Sequence, residues 1–148
     1  MGLFDRISGI NEPSEVTLGP AEAFAAIALL AIAADGYAAD TEVQCLMTSL
    51  YRMKLFRSYP DDVMRKMFDR LQGTIKRQGP ATLMNAAIAT LPDELRETAF
   101  VITTDLILAD GEITSEEKNL LNDLYAALKL SEETALKIID VMLMKNRG

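Results

Sequence analysis

Residues 106–121 read LILADGEITSEEKNLL, an apolar helical run that stops at Asp-Gly and restarts at Thr114. Two structures use such letters: the second half of a calcium loop, or a capped turn between two helices. An EF-hand places ligands at loop positions 1, 3, 5, 7, 9 and 12, with Gly at 6. With Gly111 at position 6, Asp110, Glu112, Thr114 and Glu117 fall at 5, 7, 9 and 12, but positions 1 and 3 are Leu106 and Leu108. Neither leucine can coordinate a hard cation, so this is not an EF-hand loop. As a helix–turn–helix the stretch is complete. Gly111 can take the left-handed conformation that closes a helix, Ile113 can pack on a core, and Thr114 with Glu117 makes a capping box.

Shifting the chain by 75 residues lays the same pattern on an earlier stretch: residues 32–36, IAADG, fall on residues 107–111, ILADG. Glu42 then falls on Glu117, Leu46 on Leu121 and Leu55 on Leu130, and after a three-residue slip Met67 falls on Ile139. Each half, about 20–78 and 92–146, is predicted to be a long apolar helix, a short turn, an amphipathic helix and a further helix after an acidic cap. Neither half can cover its apolar face alone, which suggests a pseudo-twofold bundle with the two apolar helices at its centre.

The first of those helices is the most apolar run of the chain, AEAFAAIALLAIAA, only fourteen residues at 21–34. It is short for a bilayer and suits the middle of a helical bundle. Helical spacing continues over 40–56 through Val43, Leu46, Met47, Leu50, Met53 and Leu55. After SYPDD it resumes through Val63, Met64, Met67, Phe68 and Leu71. RQGP ends that helix, a short one follows over 81–90, and TLPDEL opens the next with Pro92 and acids in its first turn. Ser131 caps a last helix. No run alternates with period two long enough for a strand. The expected fold is all-α: a single-domain bundle of seven to eight helices, with a short helix and connector at 1–19 and the helical domain at 20–148.

Composition narrows the function classes. The 148 residues hold 22 Asp and Glu against 15 Lys and Arg, a net charge of −7, which argues against general nucleic-acid binding. The balance is uneven: residues 52–77 carry eight basic and three acidic residues, +5, leaving −12 elsewhere. Histidine is absent and Cys45 is the only cysteine. That removes imidazole ligands, Ser-His-Asp and Cys-His systems, disulfides and thiolate clusters. Cys45 itself, among apolar neighbours at helical spacing, is expected to be buried. The start, MGLFDRISG, has neither the apolar run nor the cleavage site of a secretory leader, and Arg6 stands where a myristoylation motif needs Ser or Thr. Leu3, Phe4 and Ile7 are expected on one face of a short docking helix.

Acidic residues crowd both Asp-Gly turns: Asp105, Asp110, Glu112, Glu116 and Glu117 at one, Asp35, Asp40 and Glu42 at the other. Carboxylates at that density repel unless they are solvated or neutralised. Asp35, Glu42, Asp110, Glu112 and Glu117 are therefore the candidate ligands of a weak divalent-cation site for calcium, magnesium, manganese or zinc. No other cofactor is indicated. Arg52, Lys54, Arg65, Lys66 and Arg70 are the candidate partner-binding residues. Asp105, whose counterpart is Leu30, is expected to face a partly polar seam or the solvent.

Over residues 20–144 the chain resembles the TerB family of bacterial tellurite-resistance proteins, whose domain also occurs ahead of the J-domain of a membrane-anchored co-chaperone. The resemblance rests on AIAADG (31–36) followed by Glu42, and more specifically on LILADGEITSEEKNLLNDLYAAL (106–128). It implies an all-helical, internally pseudo-symmetric domain without an established catalytic activity, associated with tellurite and other stress resistance and with metal-linked complexes at the inner face of the membrane. It also implies roles for Asp35, Gly36 and Glu42 in the first copy and for Asp110, Gly111 and Glu117 in the second. The first copy departs from the second: Tyr37, Ala38 and Ala39 stand where Glu112, Ile113 and Thr114 do.

The expectation is a non-enzymatic, cytoplasmic adaptor, at most peripheral to the inner membrane, gated by a divalent cation at the acidic turns. Its partners would be proteins, including other tellurite-resistance or membrane-associated proteins, with a homodimer left open and nucleic acid excluded. A purely structural scaffold that recognises partners through the basic segment is the alternative. A carboxylate metallohydrolase is the remote one.

Overall fold

Ten of the thirteen residues of the first helix, α1 (Pro20–Ile32), are buried. Alanine makes that possible. With Ala23, Ala25, Ala26 and Ala28 on its surface the helix presents little bulk, and neighbours close around Phe24, Ile27, Leu29 and Leu30. Burying each large side chain contributes about 1.5–3 kcal/mol. Leu29→Ala at this fully enclosed position should cost about 2–5 kcal/mol. Pro20 fits the first turn, where its missing N–H would have had no partner, and Ala23 N–H closes that turn on the Gly19 carbonyl at 2.9 Å.

The computed structural model describes residues 17–33, 38–109 and 111–147. Among them are seven α-helices and no strand, which makes the domain an all-α bundle. The short helix expected at residues 3–7 lies outside the described residues. After α1 come α2 (Asp40–Leu50), α3 (Asp61–Gln78), α4 (Pro80–Thr90), α5 (Arg96–Leu108), α6 (Ser115–Ala127) and α7 (Glu132–Lys145). α1 packs chiefly on α4 and α5 and touches α2 and α3, and α5 in turn carries α7. In chain order α1–α3 come first and α5–α7 last. α4 stands between them.

Local chemistry explains most boundaries. The spacing over 40–56 predicts one helix, but α2 closes at Leu50: Arg52 and Met53 N–H turn back to Ser49 and Leu50 carbonyls, and Met53 is extended. A 3-10 turn, Lys54–Phe56, then seats Phe56 edge-on against Phe24 and Tyr59, with ring centroids 6.2 and 5.5 Å away. α3 buries Met64, Met67, Phe68, Leu71 and Ile75. Val63, expected in that stripe, is instead 42% exposed, because it sits one position before Met64 and is rotated off the buried face. Gly79 joins α3 to α4 in a single residue at φ +90, a conformation that side chains rarely adopt.

The capped turn read from residues 106–121 is the one observed. Gly111 has φ +79 and its N–H bonds the Leu108 carbonyl at 3.0 Å. Thr114 Oγ1 accepts from Glu117 N–H at 3.1 Å, and Glu117 Oε1 accepts from Thr114 N–H at 2.9 Å. Ile113 packs against the core. α6 ends with Lys129 at φ 59, the Leu130 N–H reaching the Tyr125 carbonyl and the Lys129 N–H that of Ala126, the two bonds of a Schellman cap.

Candidate binding groove

α4 and α6 both stand over the C-terminal end of α1 and leave a groove of about 510 Å³ between them. Its floor is Leu30 and Ala33. Pro80, Ala81, Met84 and Asn85 form the α4 wall, and Leu120, Leu124 and Ala127 are the apolar part of the α6 wall. Glu116, Asn119 and Asp123 complete that wall and are exposed. Positions 116–127 cover about three helical turns, roughly 16 Å, so the groove has the length of a short helix.

The sequence explains this opening. α6 carries apolar residues at 120, 121, 124 and 128, a stripe wider than its contact with the core requires: Leu121, Leu124 and Leu128 are buried, while Leu120 stays half-buried on the groove wall. On α4, Leu83 and Ala87 are buried and Met84 is half-buried beside them. Small residues at Ala33, Ala81 and Ala127 leave the space that larger side chains would have filled. The extra apolar column on α6 is a legible signal, but its pairing with Met84 depends on how α4 crosses α1.

Three of the five candidate metal ligands, Glu42, Glu112 and Glu117, fall among the described residues. Asp35 and Asp110 lie outside the described residues. Glu42 and Glu117 each place Oε1 on a backbone N–H at 2.9 Å, that of Ala39 and that of Thr114, three residues upstream in both cases. Glu112 is exposed. Among the described residues no group of three or more Asp, Glu, His or Cys side chains is close enough to hold a metal ion.

The basic candidates are split by their own chain. Arg65 Nε pairs with Asp61 at 3.0 Å and its Nη2 reaches Gln44 on α2 at 2.9 Å. Arg70 pairs with Glu22 on α1 at 3.0 Å. These two arginines leave α3 roughly 140° apart, so they do not share one face. Arg52, Lys54 and Lys66 are exposed. Tyr51 Oη donates to Asp61 Oδ1 at 3.1 Å. Arg65, then Tyr51, holds the Asp61 carboxyl below its usual range, and burial, then Asp61, raises the Tyr51 hydroxyl.

Two further expectations meet the structure here. Cys45 is exposed, a correction: α2 turns Leu46, Met47 and Leu50 inward, and Cys45 falls outside that stripe. Asp105 lies in a partly polar seam, where its side chain is 30% exposed and bonds Lys145 of α7 and Asn146 just after it. No described helix is long and apolar enough to cross a membrane. No family model, curated protein or solved structure matches this chain.

Proposed function

We propose that this chain is a non-enzymatic, TerB-like interaction module whose α4–α6 groove receives one face of an amphipathic partner helix bearing basic residues at its margin. The observation that carries the reading is the pairing of an apolar floor and walls with an acidic edge. Met84 and Leu120, both half-buried, offer surface to apolar anchors above the buried Leu30 and Leu124, and Glu116 and Asp123, seven residues apart on α6, stand on one edge at two-turn spacing. A helix with apolar residues at i, i+3 or i+4 and i+7 matches the first, and Lys or Arg at i and i+7 matches the second. The rim charges would favour encounter and orientation more than affinity, since exposed ion pairs contribute at most about 1 kcal/mol each. In sequence, two of its lining residues flank the Asp-Gly motifs: Ala33 directly precedes residues 34–37, and Glu116 is two residues after Thr114. The absence of histidine from the whole chain favours binding over acid–base catalysis.

A synthetic leucine–lysine amphipathic helix, labelled for fluorescence anisotropy, tests this. Saturable one-to-one binding is expected. Met84→Glu should abolish it even though the variant is more acidic, which separates groove binding from bulk attraction to a protein of charge −7. Glu116→Lys with Asp123→Lys should weaken it roughly tenfold. Binding that ignores Met84→Glu would remove the groove from the account.

A further inference from the structure

Four of the five exposed large hydrophobic side chains among the described residues sit on one helix: Leu136 (55%), Val141 (49%), Leu143 (47%) and Met144 (58%), all on α7. α7 packs on α5 through Ala135, Ile138, Ile139 and Met142, so its opposite face is left open. Round the helix, Leu136 and Leu143 share one flank of that face, Met144 stands at its middle and Val141 on the other flank, so exposed apolar side chains border it along its length. None of the four lines the α4–α6 groove.

We infer that this face of α7 is a two-fold interface with a second copy of the chain. The charge pattern points to that occupant. Glu133, Lys137, Asp140 and Met144 recur at i, i+4, i+7 and i+11 and so form the stripe down the middle of the open face. A two-fold interface brings the same patch of both subunits together and must be self-complementary. Antiparallel pairing of two α7 helices, centred between Ile138 and Ile139, meets that demand. Lys137 then faces Asp140 of the partner subunit, and the pair is repeated by symmetry. Leu136 comes beside Leu143 of the partner subunit on one flank of the seam, again twice. Lys137 is free to exchange partners, because its present one, Glu133 at 3.6 Å, forms a highly exposed i,i+4 pair that contributes little. An anionic membrane surface suits this helix less well: Glu132, Glu133 and Asp140 outnumber Lys137 and Lys145. One helix pair buries less than the roughly 1,200 Å² of a standard interface, so the association should be weak and concentration-dependent.

Sedimentation equilibrium of the full chain, from low micromolar to near-millimolar concentration, tests the inference. The expected result is a reversible dimer of twice 16.3 kDa. Leu136→Glu should leave a monomer. Lys137→Glu should weaken the dimer by roughly tenfold or more, because it sets like charges opposite each other twice. Adding Asp140→Lys to that variant should restore dimerisation to near the wild-type level, since the reciprocal pairing is rebuilt with its signs exchanged. Circular dichroism of each variant confirms the fold, and the charge exchange serves as the check should Leu136→Glu unfold. A wild type that stays monomeric throughout would overturn the inference, as would a dimer indifferent to Lys137→Glu or one that the double exchange fails to restore.

Discussion

The carboxylate of Asp105 on α5 accepts a hydrogen bond from Lys145 Nζ at 3.2 Å, tying the last turn of α5 to the C-terminal end of α7. The same Oδ1 accepts from Asn146 Nδ2 at 2.9 Å, and that amide also donates to the Met142 carbonyl. A carboxylate that breaks the apolar run FVITTDLILA thus serves as the anchor of α7. Because the ion pair is 30% exposed on one side and 57% on the other, its contribution is discounted for solvent. Asp105→Ala should cost about 1 kcal/mol and lower Tm by about 2–4 °C in a domain of this size. Asp105→Asn, which keeps an acceptor for Asn146, should cost less. Thermal unfolding measures both; an unchanged Tm for Asp105→Ala would mean that the anchor contributes nothing.

Thr103 and Thr104, on α5, are 1% and 0% exposed, and neither hydroxyl has a hydrogen-bond partner among the described residues. A buried hydroxyl without a partner costs stability, while a methyl in its place does not. Thr104→Val should therefore raise unfolding stability by about 1 kcal/mol, whereas Thr104→Ser, which keeps the hydroxyl and deletes the methyl, should lower it by a similar amount. Chemical denaturation decides. A destabilised Thr104→Val would show that the hydroxyl is bonded in solution.

The two capped turns differ at one position in a way that can be exchanged. Ala39 and Thr114 hold nearly the same extended backbone, φ/ψ −69/155 and −81/166, and each donates its N–H to the glutamate three residues on. Only Thr114 has a side chain that returns the bond. Thr114→Ala should cost about 1 kcal/mol and Ala39→Ser should add about 0.5–1 kcal/mol. Equal and negligible effects at both positions, read from denaturation midpoints, would deny the caps a role.

Asp61 and Tyr51 set a pH response with two sides. The folded pKa of Asp61 is depressed, by Arg65 first and by the Tyr51 hydroxyl second. Its contribution is present above the unfolded pKa and is lost as pH falls through the folded one. The folded pKa of Tyr51 is raised above 10.0, by burial first and by its bond to Asp61 second. That contribution is present below the unfolded value and is lost as pH rises through the folded one. Carboxyl-carbon NMR titration should therefore show the Asp61 pKa rising more in Arg65→Met than in Tyr51→Phe, and the opposite order would contradict this assignment of causes.

How much was legible follows from the kind of signal. Gly111, Thr114 and Glu117 are local chemistry, acting within a few residues, and the turn they form is the one read from the letters. The apolar run at 21–34 announced a central helix, and α1 is buried on nearly all sides. Faces were harder. Cys45 and Val63 each lie one helical position, about 100°, from a buried residue, and periodicity alone does not decide which of two adjacent columns turns inward. The groove was not legible, because it depends on the spacing that α1 imposes between α4 and α6, helices separated by the 24 residues 91–114. Charge counts likewise marked residues 52–77 as basic without showing that Arg65 and Arg70 are held by Asp61 and Glu22.

The most direct test of the groove is methyl NMR of the methionines while the leucine–lysine helix is added. Met84 is half-buried on the α4 wall of the groove, whereas Met47, Met64 and Met67 are buried in the core. The account expects the Met84 methyl resonance to move progressively and to saturate at one equivalent, with the three core methionines nearly still. Saturation that leaves Met84 unmoved, or shifts spread equally over all four, would contradict it.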